Sequence, residues 1–214
     1  MNNIMSKKKE LKKKRKKAKQ TIEEILTIQD FLYENTPYYI LDYQPDISIY
    51  TKGMQKFYYE DGGYEDWLDE KYLPIFADAV TKIAFELMQY NYSEVYLDPV
   101  GDFDTKYKKY VGYNIRKIGL AKLDEIIHHI ILDWQDNMTI KFIDRHHNIF
   151  FMEIKDEWET TFTNLRGDNL KLIKKISKAE GLFLTKCQYD EMEYIDAPKS
   201  WLDKTDKKWK KFYS

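Results

Sequence analysis

Residues 137–156 read NMTIKFIDRHHNIFFMEIKD, and this stretch decides much of the fold. Two runs of β-branched, aromatic and other apolar residues flank the polar segment 144–148. Such runs favour strands, and a polar segment of this length suits a short loop between antiparallel neighbours. The stretch therefore predicts a β-hairpin whose turn is centred on His146 and His147.

Apolar residues at helical spacing predict helices on both sides of this hairpin. One stripe runs from about 119 to 134 and another from 74 to about 90. A third helix is expected to begin with a cap at Asp168 or Asn169 and to end before Gly181, a suitable C′ glycine. Short strands are predicted at 38–43, 46–50, 94–97 and 182–186, and an irregular segment at 53–73.

The order helix–strand–strand–helix–strand over 119–186 predicts an α+β fold. In this prediction a small mixed or antiparallel sheet packs against helices on one face. The composition agrees with a folded protein, because 43% of the 214 residues are hydrophobic and 33% are charged. The apolar faces of the predicted elements give the expected core: Phe76, Val80, Ile83, Leu87, Leu123, Ile127, Ile130, Phe150, Ile154, Ile173 and Ile176.

Charge is segregated along the chain, although the net charge is only -1. Residues 1–20 carry nine lysines, one arginine and one glutamate, and residues 199–214 carry six lysines against two aspartates. The remaining segment, 21–198, is therefore strongly acidic. We expect a basic helical arm at 1–20, a single α+β domain at 21–198 and a basic C-terminal tail at 199–214. One helix from about 7 to 34 is expected to join the arm to the domain.

The basic arm has two interpretations. It is a solubilising segment, or it contacts phosphates through Lys12, Lys13, Lys14, Arg15, Lys16 and Lys17 in a salt-dependent way that does not depend on nucleic-acid sequence. No apolar segment follows the arm, so it does not resemble a secretory signal, and we expect a soluble cytoplasmic protein. The mean hydropathy of -0.68 and the lack of a long apolar run argue against a membrane protein.

The segment IFFMEIK at 149–155 resembles the third core strand of the PD-(D/E)xK nuclease superfamily. The resemblance implies that Glu153 binds a divalent metal such as Mg²⁺ together with an aspartate, and that Lys155 polarises the scissile phosphate or positions the attacking water. Alternation along a strand places these two side chains on one face. The alternative is a solvated charged strand face without catalytic residues, metal or cofactor.

The second acid is the open question for a nuclease site. A turn centred on His146 and His147 places Glu153 opposite about Ile140, so Asp144 would lie roughly 13–16 Å along the ladder at ~3.3 Å per residue. Metal ligands converge within a few ångströms. Asp136, or its neighbour Asp133, would serve as the second acid only if the chain bends into the strand.

The segment FIDRHHNI at 142–149, with AVTKIAFELMQYNYSEVYL upstream, is similar to a family of uncharacterised bacterial proteins. That family carries a Tyr-Asp-Asp-Arg-Gly-x-Asp hairpin and is suspected of toxin-immunity roles. Asp144 and Arg145 match its central Asp-Arg, whereas Ile143, His146 and Asn148 replace its first aspartate, its glycine and its last aspartate. The resemblance implies a compact α+β cytoplasmic protein and gives no catalytic residue.

The four histidines form two adjacent pairs. His128 and His129 point about 100° apart on a helix, so they are poorly placed to bind one ion together. We interpret the histidines as polar surface or helix-edge residues and predict no metal site. The only cysteine, Cys187, excludes an internal disulfide and a cysteine-built zinc site.

Two classes of function remain. The first is a binding protein without catalysis, whose acidic, tyrosine-rich body covers a basic protein surface; an immunity or phage-type inhibitor is its most specific form. The second is a nucleic-acid-associated protein or a metal-dependent nuclease that holds phosphate with its lysine-rich ends. Neither class requires a membrane.

Overall fold

The computed structural model describes residues 22–42, 73–98, 106–133, 135–155 and 160–187. The predicted arm at 1–20, the strand at 46–50, the irregular segment up to residue 72 and the tail at 199–214 lie outside these ranges. The phosphate contacts predicted at Lys12, Lys13, Lys14, Arg15, Lys16 and Lys17 lie outside them as well.

The described chain contains both helices and strands, with three strands in succession after the third helix. The elements are α1 (22–35), β1 (Tyr38–Asp42), α2 (Leu73–Tyr90), β2 (Tyr92–Leu97), a 3₁₀ turn (Lys108–Tyr110), α3 (Leu120–Leu132), β3 (Met138–Ile143), β4 (Ile149–Ile154), β5 (Thr160–Thr163), α4 (Gly167–Ala179) and β6 (Phe183–Cys187). None of these helices is long and apolar enough to cross a lipid bilayer.

The six strands form one sheet in the order β2-β3-β4-β5-β1-β6, and every neighbouring pair is antiparallel. The prediction of an α+β fold with a small sheet is confirmed, and the sheet is antiparallel rather than mixed. The predicted hairpin is β3–β4, with Thr139 directly opposite Glu153. The predicted partner, Ile140, is one residue off, because the turn is centred on His146 alone.

The two sides of the sheet are covered differently. On the side that we call the three-helix side, strand residues such as Ile140, Met152 and Phe162 pack with residues of α2, α3 and α4 in one large cluster. On the other side, which we call the α1 side, Tyr96 and Phe151 pack with two buried isoleucines of α1, Ile22 and Ile25. The prediction that helices cover one face only is therefore wrong.

Most of the predicted core is confirmed. Ten of the eleven predicted residues are buried, and Ile176 packs against the same cluster while partly exposed. Strand β5, which lies in the middle of the sheet between β4 and β1, is not predicted by any pattern in the sequence. Its sequence, Thr-Thr-Phe-Thr, contains one apolar residue and is too short to show an alternating pattern, although all four residues are buried.

The C-terminus of α4 has the predicted glycine. Gly181 adopts φ 77°, a left-handed conformation that costs little without a Cβ atom. Its N–H donates to the Lys178 carbonyl, and the Leu182 N–H donates to the Ser177 carbonyl at 2.7 Å, which is the Schellman pattern. At the other end the predicted cap is wrong: Asp168 and Asn169 lie inside the first turn.

Candidate functional site

The loop between β3 and β4 is organised by one carboxylate. Asp144 Oδ1 accepts hydrogen bonds from the backbone N–H groups of His146 at 2.8 Å and Asn148 at 2.9 Å. The Asn148 amide also donates to Asp144 Oδ2 at 3.0 Å. These hydrogen bonds lower the pKa of Asp144 against the opposing effect of its desolvation. The carboxylate therefore has a structural task, which is to hold a five-residue loop in one conformation.

This loop forms one wall of a surface pocket with a volume of about 480 Å³. The other walls come from the junction between α2 and β2 and from the first turn of α4. The lining residues are Tyr90, Asn91, Asp144, Arg145, His146, Asn148, Arg166, Gly167, Asp168, Asn169 and Leu172. The hairpin motif that was singled out in the sequence thus lies at a pocket, and its residues are joined there by others that are distant in sequence.

Polar contacts tie the three walls together. Arg145 donates to Asp168 Oδ2 at 2.7 Å, which connects the hairpin loop to α4. The Asn91 amide donates to Asn169 Oδ1 at 3.0 Å, which connects the α2–β2 junction to α4. Both groups of the Arg145–Asp168 pair are largely exposed, so this ion pair contributes little to stability. It leaves the guanidinium accessible at the mouth of the pocket.

Arg166 completes the pocket from the β5 side, and Asn164 holds it there. Asn164 adopts φ 59°, a left-handed conformation that asparagine tolerates better than most residues. Its amide donates to the Ile149 carbonyl at 2.6 Å, while its side-chain oxygen accepts a hydrogen bond from Arg166. The pocket therefore has two arginines, Arg145 and Arg166, held on different elements.

The predicted pair Glu153 and Lys155 lies on one face of β4, as alternation requires. Lys155 Nζ is 3.5 Å from Glu153 Oε2, and Thr161 Oγ1 is also 3.5 Å from that oxygen. Glu153 alternates with the core residues Met152 and Ile154, so it points to the α1 side of the sheet. This location is remote from the pocket.

Asp136 has a different neighbourhood. Its carboxylate is buried, its backbone has φ 73°, and Oδ2 lies 3.7 Å from His129 Nε2. His129 belongs to α3, which packs on the three-helix side, whereas Glu153 points to the α1 side. The structure therefore does not bring Asp136 to Glu153. Asp144, five residues from Thr139 along β3, is also distant from Glu153, as predicted.

The histidines of α3 pair with aspartates instead of with each other. His128 Nε2 is 3.1 Å from Asp78 Oδ1, and His129 Nδ1 is 2.5 Å from Asp133 Oδ2. Asp133 is thereby placed beside α3 and not beside β4. Across the described ranges, no group of three or more His, Cys, Asp or Glu side chains is arranged to hold a metal ion.

A charged cluster lies next to α3. Hydrogen bonds from Lys106, Lys122 and the Tyr107 hydroxyl lower the pKa of Glu125 to about 2. The Tyr107 hydroxyl donates to Glu125 Oε1 at 2.9 Å, and its buried ring lies 4.8 Å from the His129 ring. Burial is the main cause that raises the pKa of the Tyr107 hydroxyl. This cluster fastens the segment before α3 to the helix.

Polar groups also lie on the edge strand β2, on the face of the sheet that α1 covers. Glu94 on β2 accepts hydrogen bonds from Lys141 Nζ at 3.1 Å and from the Tyr92 hydroxyl at 3.4 Å. Burial, followed by the charge and hydrogen bond of Glu94, raises the pKa of Tyr96 to about 12. The α1 side is therefore only partly apolar, in contrast to the three-helix side.

The acidity predicted for the body is concentrated outside the described ranges. The described residues contain 16 basic and 17 acidic side chains, so their charges nearly balance. Charge is nevertheless separated within them. Helix α1 carries four acidic residues and no lysine or arginine, whereas α4 carries four lysines and one aspartate. The acidic residues of α1 and the lysines of α4 are all exposed.

Sequence reasoning found part of the pocket and missed the rest. Asp144 and Arg145 were identified from the hairpin motif, whereas Asn91, Arg166 and Asn169 were not. The spacing of the α4 lysines, at 171, 174, 175 and 178, was a visible signal of a basic helix face. No pattern along the chain indicates that the α2–β2 junction and α4 meet at the hairpin loop.

No protein-family model, curated protein or solved structure matched this chain. Its function must therefore be inferred from its own pocket, charges and exposed apolar groups.

Proposed function

We propose that this protein is a binding protein without catalytic activity, and that the exposed face of α1 docks on a basic protein surface. The observation that carries the proposal is the composition of this face. Glu23, Glu24, Asp30 and Glu34 are all exposed, and residues 22–42 contain no lysine or arginine. A surface with one sign of charge steers a partner of the opposite sign and raises the rate of encounter.

Two large apolar side chains lie among these acids. Phe31 is 62% exposed and Ile28 is 40% exposed. Glu24, Ile28 and Phe31 follow the i, i+4, i+7 spacing and therefore share one ridge of the helix. Aromatic anchors at the centre of an interface with charged groups around them are the usual arrangement of binding hot spots. The ridge supplies both anchor and steering charge.

The finer form of the proposal is a cytoplasmic inhibitor of the immunity or phage type, acting on a basic enzyme such as one that binds nucleic acid. The support is the charge complementarity of α1 together with the similarity of the hairpin motif to proteins suspected of immunity roles. The polar contacts of Asp144 agree with this, because they occupy the carboxylate with loop geometry instead of leaving it for chemistry.

The test compares two variants that each remove one exposed apolar side chain. Phe31→Ala alters the α1 ridge, whereas Ile75→Ala removes a side chain that is 59% exposed at the start of α2. Full-length tagged protein is crosslinked in its native host and captured. We expect a partner with an isoelectric point above ~9 that is lost with Phe31→Ala and retained with Ile75→Ala.

A second pair of variants tests the charge. Glu24→Gln should slow association with the captured partner and weaken its salt dependence, because one steering charge is lost. Glu86→Gln, on α2, removes the same charge elsewhere and should leave the association rate unchanged. An acidic partner, or one that binds both apolar variants equally well, would refute docking through α1.

The nuclease alternative is tested separately. We expect purified protein to leave DNA and RNA uncut in the presence of Mg²⁺ or Mn²⁺, because Glu153 and Asp136 face opposite sides of the sheet. Cleavage that disappears in both Glu153→Ala and Lys155→Ala, with folding intact, would establish the nuclease and require a different second acid.

A further inference from the structure

The exposed face of α4 is a basic stripe beside the pocket. Lys171, Lys174, Lys175 and Lys178 are exposed and fall within about 100° of one another around the helix axis. Lys171 lies 3.5 Å from Asp168, and the other three have no ion-pair partner within the described part of the chain. From Lys171 to Lys178 the stripe extends about 10 Å at 1.5 Å per residue.

The stripe continues directly from the pocket. Asp168 and Leu172 line the pocket, and Lys175 follows them at the i, i+4, i+7 spacing. The three residues therefore lie on one ridge of α4. A ligand that enters the pocket and leaves it along this ridge meets the lysines next.

The pocket itself differs from the stripe in chemistry. Its two arginines are balanced by the carboxylates of Asp144 and Asp168, so it does not concentrate positive charge. Most of its amides and carboxylates bond within the protein, but Asn91 Oδ1 and Asn169 Nδ2 have no hydrogen-bond partner among the described residues. They offer an acceptor and a donor, the groups that recognise the edge of a base. Tyr90 lines the same pocket and is 66% exposed, so its ring has a free face for stacking.

We propose that a single-stranded nucleic acid binds across this surface, with one base in the pocket against Tyr90 and the following phosphates on the α4 lysines. The neutral, amide-rich pocket suits an uncharged base better than a phosphate group. Its volume of about 480 Å³ falls within the usual range for small-ligand pockets. The activity is additional to docking through α1, because α4 lies on the opposite side of the sheet.

The nucleic acid must be single-stranded, because one of its bases has to leave the stack of bases and enter the pocket. A duplex keeps its bases paired and stacked, so none of them can enter the pocket, and it would contact the lysines through its phosphates alone. An acidic peptide would also neutralise the lysines, but it would gain nothing from a tyrosine beside base-reading amides.

The first measurement uses full-length protein and a fluorescent 15-nucleotide single strand of mixed sequence, with anisotropy followed over a salt series. Lys175→Ala with Lys178→Ala removes two stripe charges. Lys108→Ala with Lys117→Ala removes two exposed charges outside α4 and serves as the matched control. We expect the slope of log affinity against log salt to fall by roughly 1.4 in the stripe variant and to stay unchanged in the control.

The second measurement tests the pocket. Tyr90→Ala should weaken binding of the single strand by roughly tenfold, because stacking on one base is lost. Tyr113→Ala, which removes a tyrosine that is 37% exposed and does not line the pocket, should have no effect. The same sequence as a blunt duplex should bind more weakly than the single strand and be indifferent to Tyr90→Ala.

Each of the opposite results would refute a particular part of this proposal. Equal slopes of log affinity against log salt in the two lysine variants would show that the nucleic acid does not bind on α4. An acidic peptide that competes fully with the single strand would identify a different ligand. If Tyr90→Ala kept full affinity for the single strand, the base would not be bound in the pocket.

Discussion

Helices α1 and α4 cover opposite sides of the same sheet and carry opposite charge. The acidic helix α1 is held through a small cluster around Ile22 and Ile25, over strands that also carry the partly buried Glu94 and Glu153. The basic helix α4 contributes Ile173 to a large cluster that it shares with α2 and α3. The difference shows that a near-zero net charge can hide two surfaces of opposite charge.

We expect the stability of the protein to depend more on packing at the three-helix side than at the α1 side. On the three-helix side, Ile130→Ala should reduce the free energy of unfolding by about 2–5 kcal/mol, because the fully buried side chain leaves a cavity that rigid neighbours cannot fill. Urea denaturation followed by circular dichroism measures this change. A loss below ~1 kcal/mol would mean that the large cluster is not the main source of stability.

On the α1 side, Ile25→Ala should cost less, about 1–2 kcal/mol, because α1 can undock locally before the sheet unfolds. Hydrogen exchange is the sharper measurement. Amides of 22–35 should exchange faster, whereas those of α3 should keep their protection. If the amides of α1 and α3 lost protection together, the two sides of the sheet would unfold as one unit, and the expected difference in their stability would be refuted.

A smaller effect is expected at the charged edge of the three-helix side. The pKa of Glu125 is lowered to about 2 from an ordinary value of 4.5 by Lys106, Lys122 and Tyr107. A lowered carboxyl pKa stabilises the fold fully above about pH 4.5, and this contribution is lost as the pH falls towards 2. Glu125→Gln should therefore lower the denaturation midpoint at pH 6, and the gap from the unaltered protein should close by pH 2.

The control for this titration is Lys106→Met. Because the hydrogen bond from Lys106 is the main cause of the lowered pKa, this variant should move the carboxyl resonance of Glu125 to titrate at higher pH. A titration midpoint unchanged by the substitution would place the cause elsewhere.

The fold could be predicted where a segment carries its own pattern. Helices α2 and α3 and the β3–β4 hairpin have strong periodicity, and their bounds agree with the structure to within a few residues. Strand β5 has no such pattern, because its burial comes from neighbours on both edges. The position of α1 on the α1 side of the sheet could not be predicted either, because a short apolar stripe does not indicate which face of a sheet a helix will cover.

The candidate site was harder to predict for the same reason. Asp144 and Arg145 are neighbours in sequence, so a motif can indicate them. Asn91 and Arg166 reach the pocket only because β2 and β5 flank the hairpin in the sheet, and that order depends on pairing between distant segments. Of the two acids described near the hairpin, Asp136 does not meet Glu153 because it lies towards the three-helix side, and Asp144 does not because it lies too far along β3.

The insertion of β1 between β5 and β6 has a consequence for synthesis of the chain. A ribosome completes β1 about 145 residues before it completes β6. The other neighbour, β5, is complete about 121 residues after β1. At ~5–20 residues per second, the strand is therefore without either neighbour for roughly six to twenty-four seconds. During this interval the backbone edges of Tyr38–Asp42 are open to other chains. Nascent protein stalled before residue 160 should therefore aggregate or recruit chaperones through this strand, whereas a chain released after residue 187 can pair both edges.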